Sequence, residues 1–470
     1  MYTDKLLLVF MFSALNAQFS QTKYNFETKY IEVPLDHFAS IEEPNVFNLR
    51  YLINAEYYNG TGPIFIYTGG KGDIFVQAQN TGFMFDIAPI FNALLVFVEH
   101  RYYGQSLPFG NDSFSSLKQL KYLSTTQALA DFASVSKYLK DIFSEIDDLQ
   151  PTVVAFGASY SGMLAAWLRM KYPYLVTGTI ASSAPMFDFP GLIECDMFYE
   201  KITQVYDKNG GEECVEMIKR GWDVITALSK TKIGRGVFSE LKICSKIENS
   251  KDVEKLLNWL QNIYVNMALA NYNYPTNLYT PLPAYPVKVF CNKLTSYYEI
   301  SNKSFIQHYS RALELYTNYT GNNLCNNINY INEDLTEIAW NYQKCTELIR
   351  PRCSTENDMF VTKPWDYEKY AQNCNLRFGV KDIRPEWTIL AYGGKNLKYF
   401  SNIVFSYGDM DPWSSATVLD NVSDSIFSIN IPDATNQLDL RKFDLADNNY
   451  VAETRKFHIR TITQWLENDD

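Results

Sequence analysis

The chain has 470 residues, of which 46% are hydrophobic and 20% charged. It therefore carries enough apolar material for a sizeable core, and wholesale disorder is excluded. Its formal net charge of −11, with no basic patch to offset it, argues against a nucleic-acid partner.

At the N-terminus Lys5 precedes the apolar run Leu6 to Phe12, and the small residues Ser13, Ala14 and Ala17 follow. This order of charge, apolar core and small residues predicts a secretory signal peptide over residues 1–17, cleaved near Ala17. The run is too short to span a bilayer as a helix.

From about residue 45 to 185, short apolar runs alternate with helical patterns. Buried strands are predicted at Pro63–Tyr67, Ala93–Val98, Val153–Phe156 and Val176–Ile180, and helices at Thr125–Phe143 and Gly162–Met170. Continuous apolar strands separated by helices predict a parallel sheet covered on both faces.

Between the third strand and its helix stands Gly157-Ala158-Ser159-Tyr160-Ser161-Gly162. Small residues around a serine at a strand-to-helix turn form a nucleophile elbow, which exposes the hydroxyl at the carboxyl edge of the sheet. The amide of Tyr160, at the helix N-terminus, would face a developing oxyanion. The loop Gly69-Gly70-Lys71-Gly72, after the first predicted strand, would supply a second amide at Gly70.

From about Phe187 to Tyr370 the chain is polar, helix-patterned and rich in Asn and Tyr, and all eight cysteines lie between Cys195 and Cys374. An even number without C-x-x-C pairs predicts a disulfide framework and no metal site. Strand patterning returns at Ile403–Ser406 and Ile426–Ile431, and an amphipathic helix spans Val451–Leu466. In this fold the acid follows the serine in sequence. Asp411, in Tyr407-Gly408-Asp409-Met410-Asp411-Pro412-Trp413, is the candidate, with Asp409 its competitor.

These readings give the α/β class: an α/β-hydrolase sheet with an inserted, disulfide-stapled helical cap after the fourth predicted strand. The expected division is residues 1–17 signal peptide, 18–186 and 371–470 hydrolase domain, and 187–370 cap. There is no internal repeat. Sequons at Asn59, Asn111, Asn302, Asn318 and Asn421 point to surface glycosylation. No later segment is apolar enough to cross a membrane, and the oligomeric state, a homodimer included, stays open.

Asp36-His37-Phe38, Glu99-His100-Arg101-Tyr102-Tyr103-Gly104, Ser106-Leu107-Pro108-Phe109-Gly110, the elbow through Lys171-Tyr172-Pro173, and Asp411-Pro412-Trp413 together resemble one family. It is the family of serine peptidases that contains lysosomal Pro-X carboxypeptidase, dipeptidyl peptidase II and thymus-specific serine protease. The resemblance implies an exopeptidase acting on peptides or unfolded protein ends, with no cofactor, secreted or lysosomal. It also implies the pairs Cys195–Cys353, Cys214–Cys291, Cys244–Cys325 and Cys345–Cys374.

The departures from the family pattern fall at the chemistry. The family's Gly-Ala-His-His-Leu-Asp-Leu-Arg, whose first histidine is the general base, is here Ala434-Thr435-Asn436-Gln437-Leu438-Asp439-Leu440-Arg441. The elbow's usual Gly is Ser161, the glutamate of the loop after the first predicted strand is Lys71, and the Asn before Gly408 is Tyr407. A serine hydroxyl needs a base to take its proton, and an asparagine amide cannot serve near neutral pH. His37, His100, His308 and His458 each read as structural, which leaves Lys71 as the candidate substitute base. Three readings follow: an exopeptidase with a substitute base, a non-catalytic peptide- or protein-binding pseudopeptidase, or a misplaced stretch around Asn436. The intact Leu438–Arg441 flank opposes the third, and loss or severe impairment of activity is expected.

Overall fold

The computed structural model describes residues 24–39, 45–147, 150–296, 301–328 and 335–468. The expected signal segment lies outside the described residues. Among the described residues eight strands form one sheet in the order β1-β2-β4-β3-β5-β6-β7-β8. They are β1 Glu27–Pro34, β2 Val46–Asn54, β3 Ile64–Thr68, β4 Leu94–Val98, β5 Val153–Ala158, β6 Gly178–Ser182, β7 Ile403–Gly408 and β8 Ile426–Ile431. From β4 to β8 every neighbouring pair is parallel.

β1 and β2 pair antiparallel, and β2 joins β4 antiparallel, so the sheet is mixed where the sequence predicts it all parallel. The cap accordingly follows the sixth strand. β1 escapes the sequence reading because it is an edge strand: its Glu27-Thr28-Lys29-Tyr30-Ile31-Glu32 alternates with solvent and carries no apolar run.

The central strands β3 to β7 are buried along their whole length, and alternate residues serve opposite faces. Ile64, Ile66, Val96, Ala155 and Phe405 pack toward helices Thr125–Asp147 and Tyr160–Lys171. Phe65, Tyr67, Phe97, Phe156 and Val404 pack toward Phe83–Phe91 and the C-terminal helix Asn449–Glu467. Two covered faces explain the near-continuous apolar runs.

Between β6 and β7 the chain is helical. Helices Met197–Ser229, Ser250–Leu269, Pro286–Thr295 and Asn302–Thr317 share an aromatic core with Tyr206, Trp222, Tyr264 and Tyr309. Helices Leu335–Thr346 and Tyr367–Phe378 pack separately, against Tyr102, Tyr103 and Leu123 of the loop after β4. The disulfides are the four pairs the resemblance implies. Cys345–Cys374 joins the last two helices, and Cys195–Cys353 ties the start of the cap to the segment after Leu335–Thr346. Among the described residues no helix is long and apolar enough to cross a membrane.

Candidate active site

The elbow is built by close approach. A Cβ at Gly157 would stand 2.2 Å from the Ser161 carbonyl oxygen, so only glycine lets β5 turn directly into the helix. Ser159, at the turn, has φ 53° and ψ −122°, a conformation that costs a non-glycine residue on the order of 1–3 kcal/mol. The turn is held by Ser159 N–H donating to the Ser182 carbonyl at 3.0 Å and by Met163 N–H donating to the Ser159 carbonyl at 3.1 Å. Ser161, at the usual glycine position, donates to Gln77 Oε1 at 3.2 Å, and its carbonyl accepts from Thr68 Oγ1 at 2.8 Å. It thereby ties the elbow to the β3 loop.

Two further loops converge on Ser159. The loop after β7 and the loop after β8 are zipped together, with Met410 N–H donating to the Ala434 carbonyl at 2.9 Å. A Cβ at Gly408 would meet that carbonyl oxygen at 2.0 Å. Asp411, fully buried, caps the turn Pro412–Ala416 by accepting from Trp413 N–H at 3.0 Å. Asn436 is pinned from both sides: Tyr272 donates its hydroxyl to the Asn436 carbonyl at 3.1 Å, and Gln437 N–H donates to Ser183 Oγ at 2.7 Å.

The outcome is one chain of three side chains. Asn436 Nδ2 donates to Ser159 Oγ at 3.2 Å and to Asp411 Oδ1 at 3.3 Å. An ionised carboxylate accepts and never donates, so it fixes which end of the amide faces it. Burial pushes the Asp411 carboxyl up to about 6, moderated by Ser183, the Trp413 amide and Asn436. Its Oδ2 has no hydrogen-bond partner among the described residues.

Lys71 pairs through Nζ with Glu337 Oε1 of the cap at 2.5 Å and lies over the Trp340 ring, 5.8 Å from its centroid. Asp409 faces away, toward Lys208, and accepts from Asp433 N–H. The Gly70 amide donates to Gln77 Oε1 at 2.9 Å. Each histidine has a local partner. His37 meets Asp131, His100 meets the Arg101 carbonyl and Tyr160, His308 meets the Leu294 carbonyl, and His458 meets Asp439. Burial lowers His100 to about 4, so it is neutral.

Cap groups that sequence reasoning missed complete the surroundings. Gln343 Nε2 donates to Tyr160 Oη at 2.8 Å and to Glu347 Oε1 at 3.0 Å. Burial raises the Glu347 carboxyl to about 7, against hydrogen bonds from Gln343 and Thr125. Trp340 sets its ring edge-on to Tyr160 with centroids 5.1 Å apart. Arg350 lies between Trp340 and Trp413, 5.2 and 5.4 Å from their centroids. No local pattern marks these positions, because what buries them comes from residues far away in sequence.

A parallel-centred sheet with a serine elbow after β5 and an acidic loop after β7 defines an α/β-hydrolase-fold protein with a helical cap. Within that class the chain belongs to the serine carboxypeptidase S28 family, whose model matches residues 33–458. It is 41% identical over 445 residues to lysosomal Pro-X carboxypeptidase of Bos taurus, covering 94% of this chain and 88% of that protein. The Homo sapiens counterpart is 40% identical over 447 residues with the same coverage. Thymus-specific serine protease of Mus musculus is 26% identical over 463 residues, covering 93% and 87%. Among solved structures, proline iminopeptidase of Mycobacterium smegmatis aligns with a TM-score of 0.41 at 10% identity, over 94% of this chain and 100% of that one.

Proposed function

We propose that this chain is a secreted or lysosomal member of the serine carboxypeptidase family whose peptidase activity is lost or severely impaired, and that its cleft binds peptide ends without useful turnover. The observation that carries the reading is the hydrogen bond from Asn436 Nδ2 to Ser159 Oγ. A general base must accept the hydroxyl proton, whereas here the neighbouring nitrogen donates to that oxygen and has no basic lone pair. Loss of the histidine in a serine-protease triad costs on the order of a million-fold in turnover in the subtilisin example. The orphaned Oδ2 and raised carboxyl of Asp411 fit an acid that has no imidazolium to pair with.

In this reading Ser159 and Asp411 are the inherited nucleophile and acid, and the Tyr160 amide is one oxyanion donor. The Gly70 amide, the second, must release Gln77 before it can meet a ligand oxygen. The alternative, an active exopeptidase with Lys71 as base, is opposed by the engagement of Lys71 with Glu337. The relatives' name, lysosomal Pro-X carboxypeptidase, supports a lysosomal location and peptide ligands for this chain.

The test is to incubate the purified protein with a Pro-X peptide and with Ala-Pro and Lys-Ala chromogenic dipeptides at acidic and neutral pH, beside Ser159→Ala. The expected result is no turnover above that control. Turnover that the control abolishes would overturn the proposal.

A further inference from the structure

At the elbow of Ser159 two indole walls and a thioether floor form a slot that the Arg350 side chain fills. Trp413 forms one wall, and its amide is bonded to Asp411. Trp340 forms the other and touches Tyr160. Met163, one turn along the elbow helix, places its sulfur 3.5 Å from Arg350 Nη2. Walls of this kind suit a flat apolar group, yet a guanidinium occupies them. The Arg350 side chain is 8% exposed, and taking such a charge out of water is costly unless it is paired.

The pairing is incomplete. Asp188 is the nearby acid, and Arg352 engages both its oxygens, at 2.6 and 2.5 Å. Arg350 Nε reaches Asp188 Oδ2 at 3.4 Å without hydrogen-bond geometry and has no hydrogen-bond partner among the described residues. Two guanidinium groups therefore share one carboxylate. Lys344, on the same side of the cap, is lowered to about 8 by burial and by the nearby charge of Lys71. Lys71 and Glu337 cancel each other.

We infer that Arg350 anchors a carboxylate of the bound peptide, so that the slot beside Ser159 selects an acidic group over an apolar residue. That group is either a free C-terminal carboxylate or an Asp or Glu side chain. A planar guanidinium held between two indoles is pre-organised for two parallel hydrogen bonds to such a group, and the aromatic walls exclude competing water. The inference rests on the peptide-binding reading above and names its ligand class.

The test uses Ser159→Ala protein, in which binding is measured whether or not the parent chain cleaves. Four N-acetylated peptides are titrated by calorimetry near pH 6.5: Ala-Pro-Ala as free acid, its C-terminal amide, and the amidated forms of Ala-Glu-Ala and Ala-Gln-Ala. At least one acidic peptide is expected to bind roughly ten- to a hundred-fold more tightly than its neutral counterpart, the range for hydrogen bonds to a charged group. The first pair reports the C-terminal carboxylate and the second the side chain. Adding Arg350→Met, which fills the same slot without charge, is expected to erase that difference. Equal binding of acidic and neutral peptides, absence of binding by all four, or a difference that survives Arg350→Met would overturn the inference. The comparison among peptides needs no change at Arg350, so a variant that fails to fold does not remove the test. Cleavage by the parent chain would refute the proposed loss of activity and leave the acid preference standing on its own result.

Discussion

Asn436 turns its side-chain nitrogen, and not its oxygen, toward the Ser159 hydroxyl, at 3.2 Å. The same nitrogen reaches Asp411 at 3.3 Å, so the spatial relay of serine, middle group and acid is intact while the direction of proton flow is wrong. Under the reading proposed here, Asn436 is the foremost of the departures that separate a folded cleft from a working one.

Restoring that group is the direct check. Asn436→His is expected to make Ser159 react with a fluorophosphonate probe and to raise turnover of a Pro-X peptide by about two orders of magnitude or more, the lower range for a positioned general base. Equal labelling of parent and variant would remove Asn436 as the cause of inactivity.

Asp411→Asn tests the cost of the buried acid. The folded-state carboxyl is raised from 3.8 to about 6. Its contribution to stability is therefore full below about pH 4 and is lost as the pH rises through 6. The substituted amide would keep an acceptor for Trp413 N–H and carry no charge. The variant is expected to match the parent near pH 4 and to exceed it at pH 7.5 by up to about 3 kcal/mol. His100, whose folded-state value is lowered from 6.5 to about 4, loses stability in the opposite direction, as the pH falls. The quantity to follow is thus the difference in thermal midpoint between variant and parent. A difference independent of pH would contradict the assignment.

Lys71→Met separates the two chemical readings. The Lys71–Glu337 pair is about one-third exposed on both sides, and such pairs contribute roughly 0–1 kcal/mol. The thermal midpoint is expected to change little, and any residual probe labelling of Ser159 to stay the same. Labelling that vanishes with Lys71 would establish it as the base.

Glu347→Ala probes the joint between cap and sheet. Glu347 accepts from Thr125 N–H, from the Thr125 hydroxyl and from Gln343. Truncation leaves the Thr125 N–H and hydroxyl buried without this acceptor beside a void, at a cost of about 2–4 kcal/mol. Glu347→Gln is expected to cost less at pH 8 than at pH 5, because burial raises the native carboxyl to about 7 and the stability that its protonated form contributes is lost as the pH rises through that value, while the amide does not titrate. Midpoints of both variants at the two pH values decide it.

Much of the sheet was legible because its central strands are covered on both faces and so read as unbroken apolar runs. Ile403–Gly408 and Ile426–Ile431 lie where the pattern puts them. The run predicted from Val176 begins as a strand at Gly178. There the chain first closes a turn, with Val176 N–H donating to the Tyr172 carbonyl and the Arg169 guanidinium bonded to the Val176 carbonyl. β1 was hidden by its exposed Lys and Glu. In the site, Ser159 announces itself through small neighbours and local spacing, and Asn436 only by contrast with a family motif. Arg350 gives no sign at all: beside Pro351 and Cys353 it looks like surface, and what buries it, the indoles of residues 340 and 413 with Met163 and Asp188, comes from elsewhere in the chain.

Trp340 and Gln343, the cap groups that touch Tyr160, lie within five residues of Cys345 on one short helix, and a single sulfur bridge to Cys374 fastens that helix to its neighbour. The back wall of the cleft therefore depends in part on the redox state around it, beside its packing on Tyr102, Tyr103 and Leu123. Material made where thiols stay reduced would keep its sheet and its elbow yet offer ligands a loosened vestibule, so preparations for any binding assay belong in an oxidising secretory host.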